Sequence, residues 1–288
     1  MHRRLLIALG LCATSAFAQQ RASAPRSDGH TVPLIIYASA PAATTGCAPL
    51  AVLSHGAGGS ENGLRYLAVA LSNMGYTAIV MGHSESGREA VQASVVAKGL
   101  RKGVQAVVAD PAAEGARLLD VTATLAYADK RCKAPFRVLL GHSMGAETVM
   151  LEAGAHDMIG IDPALPGKSR FDAYVALSPE GSGVVFTEHA WAGIHKPVLV
   201  LTGTLDGALR GGPASRLVPW HELPGTSTHC QWQGVIDNAT HANMGGNGPG
   251  ADHATPYITS TVAALLTGVR ANACTLPTPV SGFTLQAK

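Results

Sequence analysis

Residues 136–153 read FRVLLGHSMGAETVMLEA. An apolar run of strand character, 136–140, leads directly into Gly141-His142-Ser143-Met144-Gly145, and a helical stretch, Met144–Ala153, leads directly out. G-x-S-x-G by itself recurs by chance. A strand before it and a helix after it give it meaning, because the serine then occupies a sharp strand-to-helix turn. The glycines allow close backbone approach, and the hydroxyl stands at the positive end of the following helix. Ser143 is the candidate nucleophile.

Outward from this turn, apolar runs alternate with helical stretches. The pattern predicts strands over 32–38, 48–54, 76–81, 136–140, 173–177, 197–201 and 231–236. It predicts helices over 64–74, 112–128, 144–153 and 257–269. This alternation, with strands reading as continuous apolar runs, indicates an α/β layer fold around a mostly parallel sheet with helices on both faces. No compositional break divides the chain, so 31–288 is read as one catalytic domain. Residues 19–30 are polar and small, a flexible lead-in. Two segments, 83–110 and 154–171, are long for plain connections and suit a lid, a binding wall or an insertion with its own short helix. The tail 274–288 shows little periodicity.

The chain has 288 residues, 47% hydrophobic and 14% charged. That charged share, against roughly 25% in an average globular chain, excludes charge-driven disorder. The net charge is +2. Residues 1–18 have a basic start (His2, Arg3, Arg4), an apolar stretch from Leu5 and Ala16-Phe17-Ala18 at its end, the layout of a secretory signal peptide cleaved near Ala18. A buried N-terminal helix is the alternative. Cleavage removes Arg3 and Arg4 and leaves a charge near zero, with no electrostatic footprint for nucleic acid or an anionic membrane. Cys12 leaves with the leader; bulky Leu11 departs from a lipoprotein signal. Export places Cys47, Cys132, Cys230 and Cys274 in an oxidising secreted or periplasmic setting. Four cysteines allow three connectivities, and spacing does not choose among them.

A serine hydroxyl needs a base, and the base an orienting acid. In chain order Ser, Asp, His, the candidates are Asp206, in TGTLDG after the strand PVLVL, and His241, in DNATH after QWQGVI. Both follow C-terminal strand ends, where open α/β sheets place their active groups. Glu180 and Asp237 are rival acids, and His253 and His229 rival bases. The oxyanion donors are expected to be the N–H groups of Met144 and of Ala57, in His55-Gly56-Ala57-Gly58-Gly59. That turn lacks the endings of a phosphate-binding loop. His83-Ser84-Glu85-Ser86 lines a pocket rim or forms a polar loop. Trp191, Trp220 and Trp232 are read mainly as core. The Asn243–Asp252 loop offers oxygens to calcium but matches no EF-hand, and no zinc motif occurs. No cofactor and no metal are called for.

The stretches PLAVLSHGAGGS, ARLLDVTATL, FRVLLGHSMGAE, ALSPEGSG, PVLVLTGTLDG and VIDNATHANMGG together resemble the α/β-hydrolase superfamily over roughly residues 31–272. More narrowly they resemble bacterial dienelactone-hydrolase-like esterases and their platelet-activating-factor acetylhydrolase and chlorophyllase relatives. Ser143 replaces the cysteine nucleophile of true dienelactone hydrolases, which removes dienelactone as the substrate. The resemblance implies a serine carboxylesterase acting on small or short-acyl esters. GHSMG is also shared with cutinases and polyester hydrolases, so a polyester- or lipid-directed hydrolase is the alternative. A serine peptidase or a non-catalytic binding protein are further ones. The strand order implied by the resemblance puts Cys47 and Cys132 at neighbouring strand starts, hence a Cys47–Cys132 bond; it also implies a second bond between Cys230, which opens the last strand, and Cys274, which follows the last helix.

Overall fold

The computed structural model describes residues 19–40 and 46–288. The expected leader 1–18, with its expected cleavage site and Cys12, lies outside the described residues. In chain order the elements are β1 (Gln19–Pro25), β2 (Thr31–Tyr37), β3 (Leu50–Ser54), α1 (Arg65–Asn73), β4 (Thr77–Met81), α2 (Arg88–Lys98), α3 (Leu100–Val108) and α4 (Pro111–Asp129). Then follow β5 (Arg137–His142), α5 (Met144–Ala153), β6 (Ala173–Leu177), β7 (Val198–Leu205), α6 (Val218–Glu222), β8 (Gln231–Thr240), α7 (His241–Met244), α8 (Ala251–Arg270) and β9 (Phe283–Ala287).

The nine strands form one sheet in the order β1-β2-β4-β3-β5-β6-β7-β8-β9. Pairing is parallel from β4 to β8, and β1, β2 and β9 are antiparallel at the edges. After β3 the chain moves one way to β4 and then back to β5 on the other side. This reversal opens a crevice at the C-terminal ends of β3 and β5, where such sheets bind ligands. In register, Ser54 lies beside Gly141.

Because successive strand residues face opposite ways, Val52 and Leu139 pack into a core with Val149 and Met150 of α5. Leu53 and Leu140 pack into a second core with Leu67 of α1 and Leu265 of α8. Trp191 and Trp232 are fully buried, one in each core. Trp220 is only partly buried, with the Lys288 ammonium 4.5 Å above its ring.

The expected lead-in 19–30 contains β1, which pairs with β2 along its whole length. Only two small residues, Ala22 and Ala24, face the core, so the apolar signal is faint. What holds the segment is Arg26. Its buried guanidinium reaches Asp28, Glu85 and Asp120 at 2.6, 2.5 and 3.0 Å. The tail likewise ends in a strand: Phe283, Leu285 and Ala287 of β9 pack against the second core. In 83–110 the structure places the helical pair α2–α3, with Val91 against the Gly58 turn and the Arg101 guanidinium donating to the Leu209 carbonyl at 2.9 Å. Helix α8 begins six residues before the expected start, running through Pro256, which forgoes one hydrogen bond without ending the helix.

Cys47 is bonded to Cys132 and Cys230 to Cys274, with Cα separations of 5.6 and 5.2 Å. The first pair lies near the N-terminal ends of β3 and β5. The second joins the start of β8 to the chain just past α8, and closes a separation of 44 residues. Loop-closure entropy for a loop of that size is worth about 4 kcal/mol. Replacing Cys230 and Cys274 by serine should lower the urea midpoint by the equivalent of several kcal/mol. An unchanged midpoint at unchanged slope would show that the bond adds nothing.

Candidate active site

The turn between β5 and α5 is built by exclusion. A Cβ on Gly141 would overlap the Gly145 carbonyl, and a Cβ on Gly145 would overlap the Ser54 carbonyl at the end of β3. Only glycine lets the start of α5 come this close to both strands. Ser143 takes the strain, with φ 56° and ψ −128°, a region costly for a residue with a side chain. Its N–H donates to the Leu177 carbonyl at 2.9 Å. Its Oγ is thereby presented at the mouth of the crevice.

His241 stands at the first residue of the one-turn helix α7, rather than in an open loop. β8 runs four residues beyond its expected end, and Thr240 caps α7 reciprocally with Asn243. His241 Nε2 is 2.9 Å from Ser143 Oγ, and its Nδ1 is 2.8 Å from Asp206 Oδ1. Asp206 follows β7 and is fully buried. Its Oδ2 accepts from Ser178 Oγ at 2.5 Å and from Thr202 Oγ1 at 2.8 Å. Burial alone would raise the Asp206 carboxyl. Hydrogen bonding from His241, the Arg216 charge and the Ser178 hydroxyl outweigh it and hold the group down at about 2.

The rival residues lie elsewhere. Asp237 and His253 engage each other, His253 Nε2 lying 3.1 Å from the Asp237 carbonyl. His229 precedes β8, at the far end of the sheet, where its carbonyl accepts from Trp232 Nε1. Glu180 is buried close to Asp206 but pairs with Arg216 at 2.9 Å. In the Asn243–Asp252 loop the Asn243 amide is consumed by Thr240, Asn247 and Pro249.

The turn 55–59 abuts the serine: a Cβ on Gly56 would lie 3.0 Å from Ser143 Cβ. Met144 is the first residue of α5, so its N–H has no intrahelical acceptor. The 55–59 turn and Ser143 border a cavity of about 280 Å³ lined also by Gly63, Leu64, His142, His241, Gly245 and Asn247.

Sequence reasoning missed what fixes this turn. Ser54 Oγ lies 2.9 Å from His83 Nε2, and His83 Nδ1 lies 2.8 Å from Asp120 Oδ2. This second Ser–His–Asp series is buried. Burial holds His83 and His55 well below the usual histidine range, so both are neutral. His83 therefore donates from Nδ1 to Asp120 and accepts from the Ser54 hydroxyl. Arg117 donates to Ser54 Oγ, Ser86 Oγ and the His55 carbonyl at 3.1, 2.8 and 2.8 Å. The Ser86 carbonyl in turn accepts from Gly58 N–H at 2.8 Å. His83 and Ser86, expected on a pocket rim or in a polar loop, are thus braces behind the 55–59 turn. His142 was read only as the variable position of the pentapeptide. Burial pushes it to about 3, so its Nε2–H donates to the His241 carbonyl at 2.9 Å and ties α7 to the elbow.

The stability that Asp206 contributes follows from its low value. It is fully present above about pH 4, where the unfolded carboxyl is ionised, and disappears as pH falls through about 2. Asp206→Asn should therefore cost on the order of 2 kcal/mol at pH 6, with the gap to the parent closing between pH 4 and 2. A gap independent of pH, measured by urea unfolding, would contradict this assignment of charge.

No protein-family model matches the sequence, and no curated protein sequence matches it. Solved structures do match. A cold-adapted esterase from an Arctic intertidal metagenomic library, solved bound to PEG, is 17% identical over 84% of this chain and 93% of its own, with a TM-score of 0.57. A provisionally named dienelactone hydrolase from Klebsiella pneumoniae is 17% identical over 87% of this chain and 99% of its own, with a TM-score of 0.60. Est1E from Butyrivibrio proteoclasticus is 14% identical over 86% of this chain and 99% of its own, with a TM-score of 0.55. With the sheet order, the reversal at β3 and the elbow after β5, these likenesses establish that the chain has the α/β-hydrolase fold.

Proposed function

We propose that the chain is a serine ester hydrolase acting on small or short-acyl carboxylic esters. One observation carries the reading: Ser143 Oγ, His241 and Asp206 stand in hydrogen-bonded series at the mouth of a small cavity. In this reading Ser143 Oγ attacks the ester carbonyl while His241 Nε2 takes its proton. Asp206 holds Nδ1–H, which fixes the tautomer whose Nε2 can act as base. The N–H groups of Met144 and Ala57 stabilise the oxyanion. His241 then protonates the departing alkoxide, leaving an acyl-enzyme. Water, deprotonated by His241, attacks the acyl carbon, and Ser143 leaves as the free hydroxyl.

The cavity supports the short-acyl assignment. Its about 280 Å³ falls just below the roughly 300–1,000 Å³ of sites for drug-sized ligands. Glycine backbone forms much of its wall, with Ala57 and Leu64 as its aliphatic side chains. A polymer- or lipid-directed reading has one observation in its favour. Leu205, beside Asp206, and Val96 and Leu100, at the tip of α2–α3, expose apolar surface. The two disulfides support the expectation of export after removal of 1–18. Among the described residues no helix is long and apolar enough to cross a membrane.

A p-nitrophenyl ester series from acetate to palmitate tests the reading. Turnover should be greatest on the short esters, and Ser143→Ala should lower kcat by at least about 10⁴-fold at unchanged fold. A maximum at long chains, or on insoluble polyester, would favour the second reading. Turnover surviving in Ser143→Ala would remove the first.

A further inference from the structure

Arg216 is a buried cation at the heart of the candidate site, only 2% exposed. Its Nη1 donates to the Ser178 carbonyl at 2.7 Å and lies 2.9 Å from Glu180 Oε1. Its Nη2 donates to the Gly207 carbonyl at 2.8 Å, and its Nε lies 3.2 Å from Asp206 Oδ1. The guanidinium thus joins the chain after β6 to the chain after β7. Glu180 is itself fixed. Both its carboxylate oxygens take the Leu209 N–H, at 3.0 and 3.2 Å, and its own N–H donates to Glu147 Oε1 of α5 at 2.7 Å.

One further distance gives this clamp a chemical meaning. Arg216 Nη2 is 3.1 Å from His241 Nδ1. That nitrogen has a single in-plane bonding direction, occupied by either a proton or a lone pair. With Nδ1–H donated to Asp206, Arg216 cannot donate to it as well. The arginine therefore acts on the imidazole as a charge and a stop, not as a hydrogen-bond partner. The groups facing His241 are Asp206, Arg216, the neutral His142 ring at a centroid distance of 4.8 Å, and Ser143. Glu180 acts on it through Arg216.

We propose that Arg216 is a positioning residue of the triad: it fixes Asp206 against His241 Nδ1 and, as a cation balanced by Glu180, sets the charge that the imidazole meets when Ser143 yields its proton. This rests on the ester-hydrolase reading of the same site.

Two full-length variants test it, Arg216→Met, which removes the cation, and Glu180→Gln, which unmasks it. Two quantities are read: the acid limb of kcat/KM against pH on a short p-nitrophenyl ester, and the titration of His241 by ¹H–¹⁵N NMR, assigned from the signal lost in His241→Gln. In Arg216→Met both midpoints should move to higher pH by about half a unit or more, and kcat should fall about 10- to 100-fold with KM nearly unchanged. In Glu180→Gln both midpoints should move to lower pH. Opposite displacements are the signature, because a purely structural strut would cost stability in both variants without splitting them. Unmoved midpoints, or midpoints moving the same way, overturn the proposal. If Arg216→Met does not fold, Glu180→Gln decides alone by the presence or absence of its downward shift. If the parent shows no Ser143-dependent turnover, the ester-hydrolase reading fails, while the NMR titrations still decide the role of Arg216.

Discussion

The contact on which the arrangement depends is the one between the Gly145 backbone and the Ser54 carbonyl. It lets the first turn of α5 press against the end of β3 with no side chain between them. From that contact follow the strained φ of Ser143, the exposure of its hydroxyl, and the placing of the 55–59 turn within one van der Waals distance of it. The apolar runs that form β3 and β5 drive burial, about 2 kcal/mol for each enclosed leucine. They do not by themselves aim a nucleophile. The glycines convert generic burial into a particular direction for one oxygen atom.

Around that contact the protein stations buried charges in two groups. One lies behind the 55–59 turn, where Arg117, Ser54, His83, Asp120 and Arg26 form a continuous series. The other lies beside the triad, where Arg216 stands between Glu180 and Asp206. Buried ionic groups add little net stability compared with apolar packing, while losing one partner is costly. Their effect here is geometric: each guanidinium gathers carbonyls and hydroxyls from several chain segments and leaves those segments one way to sit.

The parts legible in the sequence are those whose signal is local. Ser143, Asp206 and His241 each directly follow an apolar strand, and the five central strands announce themselves as uninterrupted apolar runs. What escaped was spread along the chain or faint. Ser54, His83 and Asp120 are separated by 29 and 37 residues and meet only once β3, β4 and α4 are assembled. Arg117 and Arg216 look like any solvated arginine until the sheet closes over them. Edge strands β1 and β9 face solvent on one side, so small or polar residues dilute their alternation. His241 was expected in a loop, but the Thr240–Asn243 capping pair puts it at the start of a one-turn helix.

The position of Arg26 has a practical corollary for anyone shortening this chain. Composition invites trimming to residue 31, where the apolar pattern starts, and the sheet would retain its parallel centre. The trimmed protein would lose Arg26, whose guanidinium donates to the buried Asp120 carboxylate at 3.0 Å. That carboxylate also anchors His83, and through His83 and Ser54 the end of β3. A minimal version of this fold is therefore bounded by the hydrogen bonds that Arg26 supplies in its interior, and not by where its hydrophobic residues begin.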